Sequence, residues 1–405
     1  MLPDLTAKRA RAGLFAYFVL LGLVVGLWAA GLPSLSARLD LSAGELGAAL
    51  LLVSAGALVS MLLAGPLVDR YSSRVVCWFS GPFSALVLLG PALAATYLQL
   101  CVLAVLFGVG IGISEVGINA HSVEVERRYG RPIISAFHGA WSLGGAAAGG
   151  LTAALLSLGV NGQALLVAGG ILIPFLCIAP ARVLLPAEPV EADGTPGAAA
   201  KGFPLGWGLI ALLGLAAFAA HLSEGAAMDW TALHAKWILG AGPALAPLTF
   251  TVYAVAMTTV RLFGDPIRAR LGPVRTIRLS GVLGTGGYLL VLASPLVPHA
   301  LGLPLAWIGW AVTGIGLATV IPVIFSAVGA AGGAVGKALS QITAAGYTGL
   351  LMGPATLGFV ADHTSLPVAL IIPTVLAAVI TLAGTPAIRA LTTREPVKVQ
   401  ELIAE

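Results

Sequence analysis

The chain is patterned as a succession of long apolar runs, each closed by charge, proline or glycine, with none of the short two-residue alternation of a barrel strand. About 20 residues of helix cross a hydrocarbon layer at 1.5 Å per residue. On that measure the runs predict spans at roughly 13–34, 44–67, 75–95, 98–123, 133–157, 163–184, 205–226, 244–266, 274–293, 303–328, 338–361 and 367–390. Lipid leaves unpaired backbone amides without water, so segments of this length are expected as helices. The pattern therefore predicts an all-α membrane protein of twelve transmembrane helices.

Composition removes the soluble alternative. Of 405 residues, 58% are hydrophobic and only 9% charged, where soluble domains carry about 25% charge. A net charge of +4 spread over short loops makes no basic patch, so no nucleic-acid partner is expected. Lys8, Arg9 and Arg11 precede the first run as in a signal peptide. That run exceeds the roughly 7–15 residues of a secretory apolar core, and further spans follow it, so an uncleaved first helix is expected. Cys77, Cys101 and Cys177 sit in apolar stretches without CxxC spacing, which points away from disulfides, a metal site or a bound cofactor.

Charge also orients the chain. With a cytoplasmic N-terminus, almost all of the 21 Lys and Arg fall on the cytoplasmic side; Arg38 and Lys236 fall outside, and Arg261 lies within the eighth span. Both termini are then cytoplasmic. The polar stretch from Leu185 to Pro204 separates six spans from six, which predicts an N-terminal six-helix bundle at 1–184, a cytoplasmic linker at 185–203 and a C-terminal six-helix bundle with a short tail at 204–405. A faint repeat supports the division: Gly65-Pro-Leu-Val-Asp69-Arg70-Tyr-Ser-Ser-Arg74 follows the second span, and Gly264-Asp265-Pro-Ile-Arg268-Ala-Arg270-Leu-Gly-Pro-Val-Arg275 follows the eighth. Two parallel repeats of this kind place a substrate site between them at the midplane.

The Gly65-x-x-x-Asp69-Arg70-x-x-x-Arg74 stretch, in a loop between spans two and three of a six-plus-six layout, resembles the signature of the major facilitator superfamily, with Ser72 where a glycine is usual. The blocks Asn119 to Arg128, Ser135 to Gly145 and Ser223 to Trp230 resemble the narrower YbjJ-like bacterial branch, which groups with fucose-permease-like sugar transporters. The resemblance implies a major-facilitator-type fold and secondary transport, and leaves the cargo open. Physically, Asp69 at a helix end is suited to accept bonds from the amides that begin the eleventh span after the Gly329-Ala-Ala-Gly-Gly333 turn, while Arg70 and Arg74 hold carboxylates or lipid phosphates. Together with Gly65, Arg261 and Asp265 these residues form the expected cytoplasmic gate, Arg261 and Asp265 as a local i, i+4 pair.

Ionisable groups inside spans cost about 2.5–3.5 kcal/mol each on insertion scales and so mark function. Glu115 and Asn119 share a face of the fourth span, and His138 enters the fifth at a similar depth, so a Glu115–Asn119–His138 cluster is expected, either as a proton carrier or as a polar clamp between helices. His221 and Glu224 share a face where the seventh span is expected to end at the extracellular lip, with Asp229 and Trp230 at headgroup level. The proton-coupling candidates are Glu115, His138 and Glu224; the substrate-cavity candidates are Trp28, Asn119, Trp141, His221, Tyr253, Gln341 and Tyr347. The glycine runs Gly108 to Gly112, Gly144 to Gly150 and Gly281 to Gly287 read as close-packing surfaces between helices. Gly349-x-x-x-Gly353-Pro354 resembles an antiporter signature but lies in span eleven instead of five, which weighs against efflux.

The reading is a transporter and not an enzyme, for no nucleophile stands with a base and an oxyanion donor. Its partners are a small-molecule substrate, protons and membrane lipid, and it is expected to act as a monomer. Proton-coupled uptake of a small polar metabolite such as a sugar is favoured over proton-driven export of amphipathic compounds, and over a non-transporting lipid-handling or sensory protein.

Overall fold

The computed structural model describes residues 5–129, 133–186, 206–330 and 335–393. Among them are twelve helices long and apolar enough to span a membrane: α1 (Leu5–Leu39), α2 (Ala43–Val68), α3 (Ser73–Leu93), α4 (Tyr97–Tyr129), α5 (Ala136–Ser157), α6 (Gly162–Arg182), α7 (Trp207–Trp237), α8 (Leu245–Phe263), α9 (Ile267–Leu296), α10 (His299–Val328), α11 (Gln341–His363) and α12 (Leu366–Thr392). Most of the 185–203 linker and the end of the C-terminal tail lie outside the described residues.

Polar residues set the helix ends. Ser42 and Glu45 form a reciprocal cap at the start of α2, the Glu45 amide donating to Ser42 Oγ (3.2 Å) and the Ser42 amide to Glu45 Oε2 (3.0 Å). Asn161 caps α6 and Ser365 caps α12 in the same sense. Between α2 and α3 the chain turns on Ser72 at φ 76°, ψ 152°, and early in α9 it turns again on Gly272 at φ 73°, ψ 165°. The two arms of the sequence repeat thus share one backbone conformation.

Two ends differ from the sequence expectation. α1 begins at Leu5 instead of near 13, so Lys8, Arg9 and Arg11 lie inside the helix; Arg11 is held there by donating to Tyr129 OH (2.9 Å) with its guanidinium over that ring. α7 runs on to Trp237 instead of stopping near 226. A lone glycine at 225 does not stop a helix that is buried on either side of it, at Leu222 and Ser223 before and Ala226 and Ala227 after.

Within the first bundle α1 packs on α5 and α6, and α2 on α4; within the second α7 packs on α11, and α9 on α10. The bundles meet through α5 with α8, α2 with α11 and α1 with α7, while α3, α6, α9 and α12 make their main contacts inside their own half. Small residues allow the close approaches: a Cβ on Gly108 or Gly112 would overlap the Val53 and Ala57 carbonyls of α2, and one on Gly349 the Phe218 carbonyl of α7. The outer surface exposes Leu62, Phe79, Phe175 and Leu382, as a lipid-facing surface does.

An even number of crossings puts both described chain ends on one face, the terminal face. At the opposite, far face the bundles are clamped. Lys236 Nζ at the end of α7 donates to the Pro33 carbonyl of α1 (2.6 Å), and the Gly44 amide at the start of α2 donates to Asp362 Oδ1 at the end of α11 (3.2 Å). Gly47 and Gly358 lie back to back between these contacts, a Cβ on Gly47 falling 2.7 Å from Gly358 Cα. At the terminal face α4 and α10 make no comparable contact among the described residues.

Candidate functional site

Because α7 continues through Gly225, Glu224 lies near the middle of the helix and not at its lip. Arg261 stands near the terminal-face end of α8, and its long stem carries the guanidinium inward. Nη2 donates to Glu224 Oε1 (2.8 Å) and Nη1 to Ser142 Oγ of α5 (3.0 Å), so one planar fork ties α7 and α8 to the other bundle. Ser142 in turn donates to the His138 carbonyl one turn earlier (3.2 Å). Both charged side chains are largely buried, 15% exposed at Glu224 and 20% at Arg261. A pair so placed costs more to desolvate than a hydrophobic pair of the same volume, so it stabilises little and its presence asks for another reason.

Beside the pair is a cavity between the bundles, walled by Val25 of α1, Trp141 of α5, Met228 of α7 and Phe250, Tyr253 and Met257 of α8, with Gly22, Gly26 and Gly145 leaving the space. Its polar groups are Ser142, Glu224 and Tyr253, whose hydroxyl lies 3.9 Å from Met257 Sδ. Tyr288 of α9 donates to the carbonyl of Ser223, the residue before Glu224 (2.6 Å). His138 sets its ring edge-on to Phe18 at 5.7 Å, and its charged neighbours are Arg261 and Glu224.

The expected Glu115–Asn119–His138 cluster divides. Asn119 donates to the Glu115 backbone carbonyl (2.8 Å) and not to its carboxylate. The ionisable neighbour of Glu115 is Tyr347 of α11, whose ring lies 5.9 Å from that of His221 on α7. His138 belongs to the Arg261 group instead, because α4 and α5 touch little in this fold. His221, with Nδ1 at 3.1 Å from the Ala217 carbonyl, joins the two groups one turn from Glu224.

Other candidates separate plainly. Trp141 and Tyr253 line the cavity. Trp28 does not; it is buried against Phe107, ring centroids 5.2 Å apart. Gln341, the first residue of α11, is half-buried and not part of the cavity wall. Trp230 is fully buried 6.2 Å from the Trp237 ring, and not at headgroup level. Arg261 pairs across helices with Glu224, while Asp265, its expected i, i+4 partner, has its side chain outside the described residues. The side chains of Asp69 and Asp265, and the turn at 331–334, lie outside the described residues, and the expected latch with them. Gly65 has no atom near its missing Cβ, Arg70 stacks over Tyr71 at 5.3 Å, and Arg74 is half-buried at the start of α3.

Within the block from Asn119 to Arg128, His121, Glu124 and Glu126 hold neighbouring segments together. His121, fully buried, bonds Ser73 Oγ through Nδ1 (2.8 Å) and accepts the Leu185 amide at Nε2 (3.1 Å), and Ser73 also donates to Glu124 Oε2 (2.8 Å). Glu126 Oε2 accepts the amides of Ile133 and Ile134 (2.7 and 3.0 Å) just before α5. The end of α4 thus gathers α3, α5 and the exit from α6.

A family model described as Major Facilitator Superfamily matches residues 13–221. An uncharacterized MFS-type transporter of Yersinia pestis is 32% identical over 353 residues, 87% of this chain and 89% of that protein. Membrane protein MosC of Rhizobium meliloti is 29% identical over 358 residues, 87% of this chain and 84% of its own. Among solved structures, a D-xylose-proton symporter superposes with a TM-score of 0.74 at 14% identity, covering 93% of this chain and 96% of that one. The E. coli fucose:proton symporter gives 0.60 at 18% identity, covering 93% and 98%. At such identities the structures speak to fold alone: twelve helices in two six-helix bundles.

Proposed function

This chain belongs to the Major Facilitator Superfamily, as a multi-pass membrane transporter of the secondary-active type, and on that premise we propose that protons drive a small organic solute through it by alternating access. Residues 1–184 rock against 204–391 about the cavity, with 185–203 as the tether. The terminal face is the cytoplasmic one, on the strength of its Lys and Arg, in the inner membrane of a bacterium. The working unit is a single chain.

The observation that carries this reading is the Arg261 fork. It joins Glu224 of one bundle to Ser142 of the other beside the cavity between the bundles. Contacts that bridge two rigid bodies at the binding site change whenever the bodies move, so binding there biases the motion. Glu224, with His138 beside it, is the proton-linked group nearest the solute; Glu115 with Tyr347 and His221 is a second polar station on the terminal-face side. The far-face clamp at Lys236 and Asp362 is one end of that motion, the arrangement closed at the far face. The wall of the cavity, mostly aromatic and thioether, favours an amphipathic solute over the sugar expected from the sequence.

The test is a metabolite panel screened for thermal stabilisation of the purified protein, since a ligand of the native state raises its stability. Each stabilising solute is then offered to proteoliposomes with and without an imposed proton gradient. Gradient-driven accumulation is expected in wild type and is lost in Glu224→Gln. Accumulation that ignores the proton gradient would remove the coupling.

A further inference from the structure

We infer that the solute is a small, largely apolar monocarboxylate whose carboxylate takes Arg261 over from Glu224, with Glu224 receiving a proton in exchange. The inference rests on the transporter reading and names its cargo.

The wall decides the body of the ligand. Trp141, Phe250, Met228 and Met257 present aromatic faces and thioethers, which match an aromatic ring or a short alkyl chain. The two hydroxyls are committed: Ser142 already accepts from Arg261, and the Tyr253 hydroxyl lies toward Met257 Sδ. A polyol would bury several hydroxyls against this wall without partners, which disfavours it strongly. A ligand with one polar end does not meet that obstacle.

Arg261 decides the polar end. Its guanidinium carries five N–H donors in a planar fork, of which Glu224 Oε1 and Ser142 Oγ take one each, and that fork is matched in shape to a carboxylate. An ammonium end would be repelled by Arg261. A neutral end would leave the ion pair nothing to exchange for.

Charge balance supplies the coupling. Glu224 and Arg261 together are neutral, and an entering anion would leave the buried site with a net negative charge in a low dielectric. One proton on the Glu224 carboxyl restores neutrality: the Arg261–Glu224 hydrogen bond breaks, the Arg261–ligand bond forms, and the proton ends on the freed Glu224 oxygen. The titratable groups facing Glu224 are Arg261 and Tyr253 from α8, His138 from α5 and Tyr288 from α9; the α1 wall is Gly22, Val25 and Gly26. His138 is the competing proton site on a facing helix and His221 the one on α7 itself, one turn from Glu224, and the test includes both.

Purified protein is titrated calorimetrically with phenylacetate, benzoate and hexanoate, each beside its amide, and with D-xylose, in two buffers of different ionisation enthalpy. At least one acid is expected to bind while its amide and D-xylose do not, with one proton taken up per acid bound. Affinity should rise about tenfold for each unit of falling pH while the acid and the free Glu224 are both ionised. Glu224→Gln should keep the binding and lose the proton uptake; uptake that Glu224→Gln keeps and His138→Gln or His221→Gln loses would put the proton on an imidazole and overturn the inference. Binding by none of the three acids, equal binding of acid and amide, tight binding of D-xylose, acid binding without proton uptake, or proton uptake that survives Glu224→Gln would each overturn the inference. Proteoliposomes that accumulate a neutral solute on a proton gradient would leave the transporter standing and remove this cargo. Acid binding with proton uptake but no movement across the bilayer would keep the site and remove the transporter.

Discussion

At the scale of single residues the account turns on a guanidinium that has given up water for one carboxylate and one hydroxyl. Removing one member of such a pair strands the other, whereas removing both does not. Glu224→Ala is therefore expected to destabilise the folded protein by on the order of 2–3 kcal/mol, below the 3–5 of a fully dry pair because both side chains keep some access to the cavity. Adding Arg261→Met should recover most of the loss, and thermal unfolding in detergent reads both. A single variant as stable as wild type would mean that the pair is solvated. The sequence made Glu224 legible, since a carboxylate in an apolar run with His221 one turn away is conspicuous. Its depth was not legible, because Gly225 looked like a helix end and only packing on both sides carries α7 past it. Nor were Glu224 and Ser142 as partners of Arg261: spacing along one helix finds local neighbours, and these two come from α7 and α5.

The elements were legible where local chemistry fixes them. Ser42, Asn161 and Ser365 cap helices close to where apolar runs begin, and the glycine runs mark the helix faces that touch. Ser72 carries the clearest consequence. It stands where the signature has glycine, and its φ of 76° with ψ 152° is a conformation that L side chains adopt only under strain. Its hydroxyl returns little, accepting the Val75 amide at 3.5 Å. Ser72→Gly should relieve the strain and raise stability by about 1 kcal/mol, net of the entropy a glycine adds to the unfolded chain. A fall in the unfolding temperature would show that the hydroxyl matters more than the backbone. The far-face cap was not legible at all: Asp362 lies more than 300 positions from Gly44, and nothing near either residue in the chain announces the other.

For the whole molecule, the number of spans and their grouping followed from apolar length and charge, because lipid imposes both. Which face is clamped did not follow, because the two arrangements share every residue and differ by small shifts of rigid bundles. The central claim is that these bundles alternate and that Lys236 and Asp362 hold one of the two arrangements. It is tested most directly by spin-label distances in a background with Cys77, Cys101 and Cys177 replaced by alanine. Labels at Ala37 and Gly242 report the far face, and labels at Tyr71 and Arg270 report the terminal face; all four positions are exposed. With Asp362→Asn and Lys236→Gln combined, the far-face distance should gain a longer population and the terminal-face distance a shorter one, in equal proportion. Distances at both faces that stay as in the unmodified background, or that lengthen together, would contradict the account.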